Sequence, residues 1–371
     1  MKKFIVGGYV RDRLLGLRPK DKDYVLVGAN KKDIEYLKSI GFEQVGADFP
    51  VFIDKEGNEH ALARTERKVG TGYSGFEVNT QGVTLQEDLY RRDLTINAIA
   101  FDPQLRVHID PYGGKHDLQN KVLRHVSDHF GEDPLRVLRL ARFSSRYSTF
   151  KVHSSTEELV RNMVLSGELL HLTPERVYVE FEKAFTEKNP VIFLKNLAKW
   201  GALEQLIPNF EPTASTWKEL EHICENCTEL HKEFYLWNIL LHGADISTDY
   251  RTGQVKLPAR FATYHKYFNQ HNAALKGFRR TAVPEMVNIL RSMNVKNNGG
   301  EEFLYKVLEN MILLKKIDLD LEDLIIRVYD RYESTEIGDI QQMLKDGTLD
   351  SKGIPDYVFN LRVQEVKKIF Q

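Results

Sequence analysis

Phe4-Ile-Val-Gly-Gly-Tyr-Val-Arg-Asp12, followed by Asp21-Lys-Asp-Tyr-Val-Leu-Val27, is the stretch that decides the reading of this chain. Phe4-Ile-Val reads as a buried strand ending at Gly7-Gly8, and Tyr9 to Leu15 as a helix stopped by Gly16. A strand, a glycine turn and a helix start point bare backbone N–H groups at one spot, which makes a cradle for phosphate. Arg11, on the first helical turn, is placed for a bidentate contact to the same anion. Asp23 to Gly28 reads as the second strand. Side chains alternate along a strand, so Asp21 and Asp23 share a face. Carboxylates this close repel unless a cation lies between them. Hard oxygen ligands at this spacing suit Mg²⁺, which keeps several waters and takes its other ligands from substrate phosphate. Asp-x-Asp alone also occurs on solvated strand faces, so the neighbouring glycine turn is what favours a metal-and-phosphate site.

Working outward, Lys31 to Ile40 is an amphipathic helix closed by Gly41. Val51-Phe-Ile-Asp54 and His60-Ala-Leu-Ala63 flank Lys55-Glu-Gly-Asn58 as a hairpin. Thr84 and Glu87 form a capping box, and Asp133-Pro134 supplies an N-cap and a proline at the first helical position. Strand signals fade near Phe130, and helical patterns continue to Gln371. The expected class is α+β, a head with a small mixed sheet on a long all-helical remainder. Lys and Arg number 52 against 53 Asp and Glu in 371 residues, so a polyanion must be met by a local patch. Two cysteines exclude a disulfide framework. No run approaches the ~20 apolar residues of a membrane helix, and the apolar run before Gly7 is only Phe4-Ile5-Val6, too short for a signal-peptide core. A cytoplasmic protein without membrane association is the expectation.

Gly7-Gly-Tyr-Val-Arg-Asp12, Asp21-Lys-Asp23, Ala61-Leu-Ala-Arg-Thr-Glu-Arg67, Arg91-Arg-Asp-Leu-Thr-Ile-Asn-Ala98 and Glu132-Asp-Pro-Leu-Arg-Val-Leu-Arg139 follow one another in an ordered series. Together they resemble the class II tRNA nucleotidyltransferases, the CCA-adding enzymes of the DNA polymerase beta superfamily, from residue 1 to about 210. The resemblance implies a nucleotidyltransferase head at 1–125, a helical neck with base recognition at 126–210, and a helical body and tail that bind tRNA at 211–371. It implies template-independent addition of CCA to the tRNA 3′ end from CTP and ATP. Asp21 and Asp23 would hold Mg²⁺ for a two-metal in-line displacement. Counting back five from Arg64 places the third carboxylate at Glu59, whose other reading is a charge at a hairpin edge. Gly8 and Arg11 would meet the phosphates, and Arg91 and Asp93 the sugar and phosphates. Asn97 reads as structural.

Asp133 and Arg136, at i and i+3, share a helix face. As an isolated residue Asp133 is accounted for by capping. Under the resemblance, its carboxylate accepts from the exocyclic amine of cytosine or adenine while Arg136 donates to the ring nitrogen. Uracil and guanine present the reverse order and are refused. Arg139 continues the face toward the base or phosphates. Arg64 to Val83 reads as a long mobile loop, which in the family accompanies addition of the final A.

Further along, Arg251 to Arg280 holds seven Lys and Arg and no acid, interleaved with Phe261, Tyr264, Tyr267, Phe268 and Phe278. This is the candidate contact with the tRNA backbone, or else an amphipathic helix whose rings are core. His222, Cys224, Cys227 and His231 match no zinc-finger spacing and are read as no metal site. The only His-Asp pair is His116-Asp117, so the metal-dependent phosphohydrolase activity of longer relatives is not expected. No protein partner is inferred. The competing readings are a poly(A) polymerase of the same superfamily and an RNA-binding protein with an inactive head.

Overall fold

The structure, a computed structural model, describes residues 1–19, 21–45, 51–68, 76–242, 244 and 246–371. They form two compact units, one of residues 1–211 with 243–257, the other of 212–242 with 258–371.

In the first unit β1 (Lys2–Val6) leads into α1 (Gly8–Leu14), then β2 (Asp23–Val27), α2 (Lys31–Ser39), β3 (Glu43–Val45), β4 (Val51–Ile53) and β5 (Glu59–Leu62). After β6 (Thr65–Lys68) and β7 (Phe76–Asn79) come α3 (Leu85–Tyr90), β8 (Ala100–Asp102), β9 (Val107–Ile109) and α4 (Gly114–Gln119). The elements read from the sequence are present within a residue or two. Both capping-box hydrogen bonds of Thr84 and Glu87 form. Seven strands build one mixed sheet in the order β3-β4-β5-β2-β1-β8-β9, antiparallel except where β2 runs parallel to β5.

Strand alternation decides what each face carries. Phe4, Val6 and Val25 turn to the face where Leu89 of α3 packs, and Leu26 turns to the other with Leu37, Phe52 and Leu62. Each such side chain, fully buried, contributes about 1.5–3 kcal/mol. Asp23 lies two residues before Val25 and therefore on the α3 face, at the end of the strand. The pattern that buries Val25 thus carries Asp23 toward the C-terminal end of α3, where Arg91 and Arg92 stand.

The helical half of the unit contains α5 (Leu135–Arg146), α6 (Ser154–Leu165), α7 (Pro174–Phe185) and α8 (Pro190–Lys199). α5 buries Val137, Leu138, Leu140 and Ala141 and packs on α7 and α8.

Three expectations are corrected. The chain beyond Phe130 is not wholly helical: Lys151–Val152 pairs parallel with Val122–Leu123, and Arg251–Thr252 pairs with Val255–Lys256. In that second hairpin Gly253 has φ +53°, and a Cβ there would stand 2.5 Å from the Leu206 carbonyl oxygen. The neighbouring Gln254 amide donates to that carbonyl, so cross-chain bonding wins over helix here. Second, the Arg64–Val83 segment is not one loop, because β6 and β7 pair antiparallel within it; residues 69–75 lie outside the described residues. Third, four of the five aromatic rings in the basic stretch, Phe261, Tyr264, Phe268 and Phe278, are buried. They are core, and the Tyr264 hydroxyl accepts from Asn310 Nδ2 at 3.0 Å. All seven Lys and Arg of the stretch are exposed.

The second unit is made of helices, the longest Ala259–Gly277. Burial pushes the Cys224 thiol up to about 12 and Cys227 to about 11, which keeps both protonated. His222 Nδ1 lies 3.1 Å from Asn226 Nδ2, and His231 Nδ1 2.6 Å from Glu309. Among the described residues, no helix is long and apolar enough to cross a membrane.

Candidate active site

The glycine turn closes β1 against β2, since Val6 pairs with Asp23. Gly7 has φ +69°, and a Cβ on it would stand 3.2 Å from Arg92 Nη1 and 3.8 Å from Asp23 Oδ2. A side chain here would be strained and would fill the space between those two charges. On the far side of β2, Glu59 of β5 is the direct register partner of Asp23. Burial, then the charge of Glu59, pushes the Asp23 carboxyl up, against the pull of Arg92. No hydrogen bond or ion pair reaches Asp21 or Asp23 among the described residues. A strand end crowded with hard, unneutralised oxygen donors fits a divalent cation.

The acids around the arginines have the opposite character. Asp88 is fully buried and receives Arg91 Nη2 at 3.0 Å and Arg92 Nη2 at 3.1 Å. Burial would raise its pKa, but Arg92 and then Arg91 hold it below the usual carboxylate range. Asp93 takes Arg139 Nη2 at 2.6 Å and Asn97 Nδ2 at 2.9 Å. Its burial is likewise outweighed, chiefly by Arg139, and it stays well below an ordinary carboxylate. Arg11 donates from Nε to Asp12 Oδ1 at 2.8 Å and from Nη1 to Asn97 Oδ1 at 2.6 Å. Its fork is therefore occupied, and Nη2, which lies 3.4 Å from where a Gly8 Cβ would stand, faces the turn. The fork expected to make a bidentate contact is thus engaged within the protein, and Nη2 is the Arg11 nitrogen turned toward the glycine turn.

On α5 the helix starts one residue later than the sequence suggests. Asp133 Oδ1 accepts the Leu135 amide at 3.1 Å, and Oδ2 lies 3.6 Å from Arg176 Nη2. Arg136 donates to the His129 carbonyl at 2.7 Å and the Arg91 carbonyl at 2.6 Å.

These side chains line one cleft of about 840 Å³. It brings together Gly8, Arg11, Asp21, Asp23, Arg91, Asp93, Asp133, Arg136 and Arg139 of the sequence-derived set. Glu59 is exposed and does not line it, although it adjoins Asp23. Eight arginines and Lys183 face five carboxylates there, an excess of positive charge suited to a polyphosphate. Sequence reasoning passes over Arg92 and Asp88. The Asp88-x-x-Arg91-Arg92 spacing, i to i+3 and i+4 at a helix end, is the signal that could have found both.

A family described as Poly A polymerase head domain matches residues 3–124, and one described as a probable RNA- and SrmB-binding site of polymerase A matches 149–213. A Multifunctional CCA protein of Haemophilus influenzae (strain PittGG) is 51% identical over 235 residues, which are 62% of this chain. The match spans 56% of that relative's length. Among solved structures, an apo CCA-adding enzyme superposes with a TM-score of 0.74 at 24% identity, over 99% of this chain and 91% of its own. The Thermotoga maritima CCA-adding enzyme complexed with tRNA gives 0.69 at 23%, over 100% and 91%. At these identities the likeness is one of fold, the α+β head followed by helices expected from the sequence.

Proposed function

We propose that this chain adds C, C and A without a template to the 3′ end of tRNA, taking CTP and ATP and releasing pyrophosphate. The observation that carries the reading is that Asp133 and Arg136 open into the same cleft as the glycine turn and the Asp21–Asp23 pair. One cleft then offers a place to ionise a hydroxyl, hold a triphosphate and inspect a base.

In this reading residues 1–125 carry the chemistry, 126–210 the base recognition, and 211–371 the tRNA contact. Asp21 and Asp23 would hold divalent ions, Mg²⁺ by the hardness of their oxygens, with Glu59 as the neighbouring third carboxylate. Bound there, the ions supply charge neutralisation at the triphosphate and a more acidic 3′-hydroxyl. Gly8 and Arg11 Nη2 bind phosphate beside them, Arg91 and Arg92 extend the positive wall, and Asp93 holds Arg139 toward the nucleotide. Arg136, held by two backbone carbonyls, faces a ring nitrogen of the base while Asp133 accepts the exocyclic amine. A cytoplasmic location belongs to the same reading.

The test is purified protein with Mg²⁺, tRNA lacking CCA, and each labelled nucleotide in turn. Incorporation of C and A with refusal of U and G is expected. Long A tails on generic RNA without use of CTP would make the chain a poly(A) polymerase, and no incorporation at all would leave an RNA-binding protein with an inactive head.

A further inference from the structure

Asn97 lies in the middle of a network of seven side chains that joins the glycine turn to α5; five of them are charged, and Asn97 and Tyr147 are not. Arg139 binds Asp93 Oδ2, and Asp93 Oδ1 accepts Asn97 Nδ2 at 2.9 Å. Asn97 Oδ1 accepts Arg11 Nη1 at 2.6 Å, and Arg11 Nε donates to Asp12 at 2.8 Å. Asp12 in turn receives Arg146 Nη2 at 3.0 Å and the Tyr147 hydroxyl at 2.9 Å. The chain of bonds leaves α5 at Arg139 and returns to it two turns later, so it is a closed ring. Phe143 fills its middle, with the Arg11 guanidinium 5.3 Å and that of Arg139 5.8 Å from its ring centroid. Residues 139, 143, 146 and 147 lie on one helix face by their spacing.

The geometry points to Asn97 as a positioning residue for nucleotide selection, the joint that sets the distance between the phosphate end of the cleft and the helix that inspects the base. This role presupposes the nucleotidyl transfer proposed for the cleft. Asn97 has a cation on one side and an anion on the other. Only a group that accepts and donates at once satisfies both, and a planar amide does so with two fixed atoms. A carboxylate there would face Asp93 Oδ1 across 2.9 Å; an alkyl group would leave Arg11 and Asp93 each short of a bond. The Asn97 backbone carbonyl also accepts Arg92 Nη1 at 3.5 Å, which ties the same residue to the pair held by Asp88. Arg11, turned by Asn97 and Asp12, keeps Nη2 on the glycine turn, and Arg139, turned by Asp93, keeps its place one turn from Arg136. Loss of the joint uncouples the two ends without removing either.

The test uses Asn97→Asp, which keeps the acceptor for Arg11 and deletes the donor to Asp93, and Asn97→Ala, which removes both bonds without adding charge and so guards against a misfolded carboxylate variant. Three quantities are read on the full chain: kcat/KM for CTP and ATP against UTP and GTP, inhibition by inorganic tripolyphosphate as a probe of the phosphate end alone, and the KM for the RNA acceptor. Asn97→Asp is expected to lower selectivity about ten- to a hundredfold, the loss of a charge-assisted hydrogen bond, with tripolyphosphate inhibition and the acceptor KM unchanged. Asn97→Ala should lower selectivity and weaken tripolyphosphate together. A folded Asn97→Ala or Asn97→Asp protein with wild-type selectivity overturns the proposal. So does an equal loss on all four nucleotides that tracks melting temperature, since that is the mark of a merely structural residue. Wild-type protein with no preference among the four nucleotides overturns the functional reading and this proposal together.

Discussion

Two groups of aspartates lie in or beside one cleft and behave in opposite ways. Asp21 and Asp23 stand at a strand end with no ion-pair partner among the described residues, and Asp23 is pushed toward the protonated form by burial and by Glu59. Asp88 and Asp93 are more deeply buried, yet each is held ionised by arginines. Burial alone would raise all of them; the difference lies in whether a guanidinium is already in place. Charges satisfied by the protein hold its shape, whereas charges left unsatisfied are available to a ligand, so the cleft divides into a satisfied scaffold and an unsatisfied edge.

Removing the unsatisfied charges should give the largest loss of activity and the smallest loss of stability. Asp21→Asn and Asp23→Asn are expected to abolish incorporation of both C and A. Melting temperature should be unchanged or higher, because like-charge repulsion is relieved, and tRNA binding should persist. Incorporation assays beside thermal melts decide it, and a strongly destabilised Asp23→Asn would erase the distinction between the two groups. Asp88→Ala should do the reverse, leaving Arg91 and Arg92 without their buried partner at a cost of about 3–5 kcal/mol, measured by urea unfolding.

Asp133 lies between the groups, half-exposed; among the described residues its carboxylate meets an amide and, more distantly, Arg176. Asp133→Asn keeps a capping oxygen, so stability should change little. Discrimination of CTP and ATP against UTP and GTP should fall about ten- to a hundredfold. Unchanged selectivity would leave Asp133 as a cap.

Asp93 also predicts a pH dependence. Its folded pKa is depressed, so its contribution to stability is fully present above the unfolded carboxyl value of about 4 and is lost as pH falls through the lower folded value. The stability gap between wild type and Asp93→Asn, followed from about pH 7 to about pH 3, should narrow only in the acid range. The smallest effect belongs to the exposed basic stretch. Lys276, Arg279 and Arg280 changed to Glu should weaken tRNA affinity and lower the salt slope by about one for each phosphate that is no longer neutralised. Nucleotide choice should stay intact, and filter binding across a salt series reads the affinity and its slope.

Much of this was legible in the chain. The glycine turn and the Asp23-x-Val25 alternation are local patterns, and local geometry carries them into the fold; Asp21 stands two residues before β2 and Asp133 two residues before α5, yet both line the same cleft. Rings such as Phe261 and Tyr264 were ambiguous, because helical spacing says which residues share a face but not whether that face is covered. The Arg251–Lys256 hairpin was hidden for a related reason: its bonding partner, the Leu206 carbonyl, lies far away in sequence.

The sequence by itself determined the α+β class, the order of elements in the head and nine of the residues that line the cleft, since these follow from periodicity, turn chemistry and capping within a few residues of each site. Only the tertiary structure decided which charges neutralise one another. Arg11 reaches Asn97 across 86 positions, Arg139 reaches Asp93 across 46, and Glu59 stands beside Asp23 through strand register. A carboxylate's proton affinity depends on the cation a few ångströms away, and that neighbour is chosen by how strands and helices pack rather than by sequence proximity.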